Sequence, residues 1–335
     1  MGLAIVAVLI GLIVLTWSAD VFIDGATLLA EKLRVPGFLI GVVILGFGTS
    51  APEMVVSALS ALQGNPELAL GNAYGSNIMN IALVLGITAT ISPIVIRRSV
   101  VTQDLPLLLV MTALAAWQLR DGQLSRADGA LLLISLAAVL GFQIFLSIRE
   151  GNPKNKHKDS VQIISSKDAN STSKNSSPPP SIARGMSSLF IGMLLLVLSS
   201  RAVVWGAVEL ATFWGLSELV IGLTVVAIGT SLPELVASLS AAGKGEHDMA
   251  LGSIIGSNIF NTLGVVGLAA FITPIAANPV ILSRDIVMVG ILTLLLFTLS
   301  TAAFITNRKL GRFSGATLVL SFIAYTIWLL KTINM

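Results

Sequence analysis

The sequence predicts an all-α integral membrane protein of ten transmembrane helices in two inverted-topology five-helix repeats. Three observations predict it. Of 335 residues, 55% are hydrophobic and only 11% charged, and the mean hydropathy of +0.91 lies above what a soluble domain carries. Apolar stretches long enough to cross about 30 Å of hydrocarbon as helix recur along the chain. The chain also repeats itself at an offset of 181 residues.

The first apolar stretch, 2–30, has no basic leader and runs on through Asp20 and Asp24, so it reads as a retained span rather than a signal peptide. Stretches 37–62, 68–92, 103–119 and 127–148 follow. Residues 150–183 then turn abruptly to Ser, Asn, Lys and Pro. Such a segment cannot bury enough apolar surface to offset its chain entropy, and a disordered cytoplasmic linker is expected, with His157 a solvated residue inside it. Its two glycosylation sequons, at Asn170 and Asn175, have no consequence on the cytoplasmic side. Five further stretches, 184–213, 218–243, 248–273, 285–305 and 313–331, complete the chain. The expected domains are 1–149 (first repeat), 150–183 (linker) and 184–335 (second repeat). Short alternating strands of barrel type are absent, and the chain has no cysteine, which excludes disulfides and thiolate metal sites.

Charge sets the expected orientation. With alternate connections assigned to one side, fifteen basic residues fall there, from Lys32 and Arg34 through the linker lysines to Arg308, Lys309 and Arg312. The other side holds Arg120, Arg126, Arg284 and Lys331. Basic residues are retained inside, so both termini are expected outside the cell and the linker in the cytoplasm of a plasma-membrane protein. The surplus of positive charge reflects topology and implies no nucleic-acid partner.

The repeat is ungapped. "IGVVILGFGTSAPEMVVS" (40–57) lies over "IGLTVVAIGTSLPELVAS" (221–238), and "ALGNAYGSNIMN" (69–80) over "ALGSIIGSNIFN" (250–261). Across 36–93 and 217–274 there are 24 identities in 58 positions, too many for chance between two apolar segments. Five spans per half is an odd number, so the second copy enters the membrane from the opposite face, as in many secondary transporters.

Each repeat carries a proline and a glutamate inside an apolar span. Pro52 and Pro233 lack an N–H and crowd the carbonyls of Gly48 and Gly229, so each helix is expected to open there and free carbonyls near Thr49 and Thr230. Carbonyls at membrane depth persist where they line a wet cavity or bind a cation. Glu53 and Glu234, related by the repeat, can meet at its pseudo-twofold axis, and no intramembrane lysine is available to neutralise them. In "GSNIxN", Ser76 and Asn80 share one helix face, as do Ser257 and Asn261. Gly71 and Gly75, like Gly252 and Gly256, form small-residue faces suited to close helix approach. Two bidentate carboxylates and two carbonyls, with water, supply the six to eight oxygens Ca²⁺ takes. The surrounding hydroxyls, carbonyls and amides of Thr49, Ser50, Ser76, Thr230, Ser231 and Ser257 suit Na⁺. With no His or Cys at the site, transition metals are disfavoured.

These motifs resemble the cation/Ca²⁺ antiporters, specifically the sodium/calcium exchangers, whose two α-repeats carry G-T-S-x-P-E followed by G-S-N-x-x-[ND]. The resemblance runs from Trp17 to about Trp328 and is nearest to short prokaryotic members, the linker having no room for large Ca²⁺-sensing domains. It implies that Glu53 and Glu234, with the carbonyls of Thr49 and Thr230, bind Ca²⁺. It places Gly46, Ser50 and Ser76, and Ala227, Ser231 and Ser257, at flanking Na⁺ sites, with Asn80 and Asn261 at the cavity centre. Some members carry Asp where Asn261 stands. The implied mechanism is alternating access, with spans 1 and 6 sliding past an eight-helix core. The partners implied are transported Ca²⁺ and Na⁺ and the lipid bilayer, without cofactor or protein partner.

Other residues have plainer expectations. Asp20 is the repeat mate of Arg201, with which it could form an ion pair; Asp104 and Asp285 read as helix N-caps; His247, between Glu246 and Asp248, reads as solvated. An intramembrane enzyme would need a nucleophile with its base, or metal-binding histidines, and both histidines lie in loops. A cation channel could use the same carboxylates, and an H⁺/Ca²⁺ antiporter the same site.

Overall fold

The computed structural model describes residues 1–150, 181–215 and 227–333. Nine helices among them are long and apolar enough to cross a membrane. In order, the helices are α1 (Gly2–Leu33), α2 (Gly37–Leu62), α3 (Glu67–Ile91), α4 (Val100–Asp121), α5 (Arg126–Glu150), α6 (Ile182–Phe213), α7 (Leu232–Gly243, preceded by a single turn, Ala227–Thr230), α8 (His247–Ile272), α9 (Ile281–Ile305) and α10 (Arg312–Ile333). The expected spans coincide with these to within a few residues. The first third of the seventh span, and nearly all of the 150–183 linker, lie outside the described residues.

Local chemistry sets the ends. Ser125 and Asp128 cap α5 reciprocally: the Ser125 hydroxyl accepts from Asp128 N at 3.2 Å and the Asp128 carboxylate from Ser125 N at 2.9 Å. Gly64 (φ +83°) and Gly245 (φ +81°) close α2 and α7 at repeat-equivalent positions, where a left-handed backbone favours glycine.

Successive helices run in opposite directions, which sorts the connections into two faces. On the face where α5 ends and α6 begins, here the linker face, an isolated β-bridge joins Ile94 to Leu310, and Arg97 pairs with Asp248. On the other, the terminal face, Gln123–Leu124 pairs antiparallel with Ile275–Ala276, and Asn278 N donates to Glu67 at 2.9 Å. Each of these contacts joins the first half of the chain to the second.

α1 and α6 pack along one another. Gly11 and Gly25 and their repeat mates Gly192 and Gly206 line that seam, where an added Cβ would come within 2.5 to 2.7 Å of the facing helix. The other helices enclose the main apolar core, which includes Tyr74, Leu85, Leu105, Ile255 and Leu292. α1 and α6 join them through smaller clusters, among them Phe22 and Leu189 with Leu45 and Ala241.

Several expectations are corrected. The helix does not open at Pro52: α2 stays helical through it, and its irregularity is a π-helical stretch at Gly41–Gly46, upstream of the proline. In the second repeat the break does occur, at Ser231 (φ −95°, ψ 6°), between the Ala227–Thr230 turn and α7. Proline at the start of α7 costs no intrahelical bond, because the first N–H groups of a helix have no partner inside it. Asp285 is no N-cap; it lies in a π-helical stretch, Ile281–Ile286, that runs on into α9. It accepts from Arg284 Nε at 2.6 Å and from the Tyr325 hydroxyl at 2.8 Å. Asp104, also in a π-helical stretch, makes no capping bond. Asp20 does not meet Arg201: Ser240 donates to it at 2.6 Å, and Lys244 holds both Asp20 (3.5 Å) and Asp24 (2.6 Å). His247 opens α8 and is only partly exposed rather than solvated in a loop, and Asp248 beside it is ion-paired with Arg97.

Candidate functional site

The π-helical stretches that sequence reasoning missed fall at repeat-equivalent positions: Met79–Val84 with Phe260–Val265, and Val100–Asp104 with Ile281–Ile286. The first pair contains Asn80 and Asn261. A π turn widens the helix by one residue and shifts the side chains that follow, which is why such turns collect at functional positions. The sequence carries no mark of them, since the apolar composition is the same as in an α-turn.

Glu53 on α2 and Glu234 on α7 are both buried, at 8% and 3% exposure. Glu234 is close enough to interact electrostatically with Glu53 and with the Thr49 side chain. One oxygen of each carboxylate, Oε2, has no hydrogen-bond partner, and neither have the Ser50 hydroxyl, both amide atoms of Asn80, or the Asn261 Oδ1. All are buried, where an unpaired polar atom costs about 1–3 kcal/mol. Acceptors far outnumber donors among these groups, as a cation requires.

Thr49 joins the two repeats. Its hydroxyl lies 3.1 Å from Ser257 Oγ on α8 and also reaches the Leu45 carbonyl at 3.1 Å. Gly46 and Gly256 make that closeness attainable: a Cβ on Gly46 would sit 3.0 Å from Gly256 Cα, and one on Gly256 only 2.6 Å from the Val42 carbonyl oxygen. Gly252, likewise, faces the Phe38 carbonyl oxygen at 2.5 Å, so the expected close approach is present in the second repeat. For Gly71 and Gly75 no atom among the described residues comes within 4 Å of the Cβ position; the segment equivalent to 35–45 is 216–226, outside the described residues. Of the carbonyls Pro233 was expected to free, that of Gly229 accepts from the Ser200 hydroxyl of α6 at 3.0 Å. Ser76 and Ser231 are buried, Thr230 is exposed, and Ala227 opens the short turn before the break. A cross-repeat bond that the sequence did not suggest, from Asn77 Nδ2 to Thr262 Oγ1 at 2.8 Å, holds α3 to α8 beside the site.

Two cavities reach these residues. One, of about 360 Å³, is lined by Thr49, Glu53, Asn72, Arg201, Trp205 and Thr230 among others. The second, of about 310 Å³, is lined by Asn72, Ser76, Thr230, Asp285 and Tyr325 among others. Both share Asn72 and Thr230; the first adds residues of α2 and of the half of α6 nearest the terminal face, the second residues of α3, α9 and α10. On the linker face the α1 end is instead held down by Lys244. A larger apolar groove of about 700 Å³ between α4 and α9 contains none of these residues.

The fold and the paired acids define a multi-pass membrane transporter built from two inverted repeats, not an enzyme. The chain belongs to the sodium/calcium exchanger family, whose model matches residues 3–145 and 185–331. It is 41% identical over 329 residues to a putative antiporter, CaxA, of Alkalimonas amylolytica, covering 97% of this chain and 98% of that one. It is 29% identical to the sodium/calcium exchanger MaX1 of Methanosarcina acetivorans, covering 95% and 96% of the two chains. Its fold matches the sodium-calcium exchanger NCX_Mj, solved after soaking with zero Na⁺ and Ca²⁺, with a TM-score of 0.79 and 31% identity over 96% of this chain and 97% of that one.

Proposed function

We propose that this protein exchanges Na⁺ for Ca²⁺ across the plasma membrane, with the linker face in the cytoplasm and both termini outside. The observation that supports the reading is the burial of two carboxylates, Glu53 and Glu234, one from each repeat, each with an unpartnered oxygen. In this reading Ca²⁺ takes both carboxylates with the carbonyls of Thr49 and Thr230. Na⁺ ions take the flanking oxygens of Gly46, Ser50 and Ser76 and of Ala227, Ser231 and Ser257, with Asn80 and Asn261 at the centre. Both ions need the same two glutamates, so their occupancies exclude one another, and exchange follows. The α1–α6 pair is the moving part: among the described residues its contacts with the other helices include small apolar clusters, the Ser200 and Ser240 hydrogen bonds and the Lys244 ion pairs, which a sliding motion can exchange. The boundaries 1–149, 150–183 and 184–335 place one repeat on either side of the connecting segment.

Two ionised glutamates are neutralised by one Ca²⁺, whereas more than two Na⁺ leave the site positive, so exchange moves net charge. Each charge crossing is worth about 2.3 kcal/mol per 100 mV. The test is uptake of radiolabelled Ca²⁺ into proteoliposomes under an imposed Na⁺ or pH gradient at clamped voltage. Uptake driven by outward Na⁺, and increased when the Na⁺-losing compartment is positive, is expected. Uptake driven by pH without Na⁺ would assign the proton as counter-ion instead.

A further inference from the structure

α6 carries a charge that the exchange reading leaves unused. Arg201 lies within an otherwise uncharged stretch of that helix, between Arg184 and Glu209, on the half nearest the terminal face. A charged side chain within a span ordinarily has a partner or a function. Among the described residues Arg201 makes no ion pair or hydrogen bond, and it is exposed. It lines the cavity of about 360 Å³ that also contains Glu53, Thr49 and Thr230. A cation heading for the glutamates through that cavity passes a guanidinium that no described residue neutralises.

The repeat makes the placement more telling. The mate of Arg201 is Asp20, on α1 toward the linker face, where it is engaged by Ser240 and Lys244. A sliding motion that opens that face would release Asp20 to the position Arg201 now occupies on the other. The pseudosymmetric entrances thus carry opposite charges at one equivalent position.

We propose that Arg201 is a specificity-determining residue of the cavity on the terminal face: its charge, unpaired among the described residues, weakens capture of cations entering there, and of divalent ions more than monovalent ones. The proposal rests on the exchange reading of the same site. Coulomb repulsion scales with ion charge, so a factor f in the half-saturating concentration of Na⁺ becomes f² for Ca²⁺. Across roughly 10 Å of wet cavity, f is about 1.7 at ~0.01 M ionic strength, giving about threefold for Ca²⁺, and both effects fall below about twofold at ~0.15 M. Apolar walls concentrate the field within the cavity.

The test is a charge series at one position. Arg201→Lys, Arg201→Gln and Arg201→Glu are assayed in right-side-out vesicles for the external half-saturation of Ca²⁺ uptake and for inhibition by external Na⁺. Arg201→Gln should lower the half-saturating Ca²⁺ about threefold at ~0.01 M ionic strength, Arg201→Glu should lower it by the same ratio again, and Arg201→Lys should match the parent. At any fixed ionic strength the change for Ca²⁺ should be the square of that for Na⁺, which a merely structural residue would not produce. Unchanged values in Arg201→Gln, equal changes for the two ions, or a lysine variant that behaves like glutamine would each overturn the proposal. If the glutamine variant does not accumulate, Arg201→Met replaces it in the same comparison. A parent protein without Na⁺-coupled Ca²⁺ flux would instead overturn the exchange reading, and calorimetric Ca²⁺ binding to the same purified variants would then decide the role of Arg201.

Discussion

Replacing Lys244 with methionine should shift the protein toward a conformation open on the linker face. The ammonium sits 2.6 Å from Asp24 and 3.5 Å from Asp20, and donates to the Asp20 carbonyl at 3.0 Å. These contacts tie α1 to the end of α7. The three side chains keep 31%, 52% and 69% of their exposure for Lys244, Asp20 and Asp24, so solvent screens each pair to about 0.2–1 kcal/mol. The whole clamp is worth about 1 kcal/mol, or roughly fivefold in a two-state population. No equivalent clamp can balance it on the terminal face, where the repeat mates of Lys244 and Asp20 are Gln63 and Arg201. The chain lacks cysteine, so Ala241→Cys supplies a single thiol. Ala241 is buried in the cluster that contains Phe22 and Ala26 of α1. Its maleimide reactivity in detergent should rise about fivefold when Lys244→Met is added. An unchanged or slower rate would refute the clamp.

Three further outcomes are expected. Glu53→Gln and Glu234→Gln should each abolish Ca²⁺ flux with little loss of folded protein, since each removes a buried charge; near-normal uptake by either would exclude a two-glutamate site. Gly256→Ala brings a Cβ to 2.6 Å of the Val42 carbonyl oxygen and should cost about 1–3 kcal/mol in thermal or denaturant unfolding, whereas Gly290→Ala, with no atom within 4 Å among the described residues, should be near neutral. The Glu246 carboxyl between α7 and α8 is held above its usual range, chiefly by burial and then by Asp248 and Glu31, with Arg97 opposing. The folded state therefore binds its proton more tightly than the unfolded chain, and stability is lost as pH rises from the ordinary carboxylate range through the raised value. Glu246→Gln should thus raise the melting temperature at neutral pH and lose that advantage in acid; a constant difference across pH would contradict the assignment.

Much of this was legible in the sequence because membrane helices must satisfy their own backbone. The spans followed from length and hydropathy, and the repeat from identity at a constant offset. The two glutamates stood out because charge at membrane depth is costly. What was not legible depends on contacts between distant residues or on subtle backbone register. The engagement of Asp20 and Asp24 by Lys244, the Arg284–Asp285–Tyr325 cluster and the Ser200 bond to Gly229 all require the packed helices. Pro52 and Pro233 occupy equivalent positions in nearly identical motifs, yet one lies within a continuous helix and the other just after a break. Residue chemistry alone is the same in both.

The two pairings that join the halves have a consequence for how such a chain tolerates change. Gln123–Leu124 with Ile275–Ala276 on one face, and Ile94 with Leu310 on the other, are made by main-chain groups. No side-chain substitution short of proline deletes those hydrogen bonds. The frame around the ion pathway is fastened at both surfaces by atoms every residue possesses, so the lining of the pathway can drift in sequence, and with it ion preference, without unfastening the scaffold that holds it.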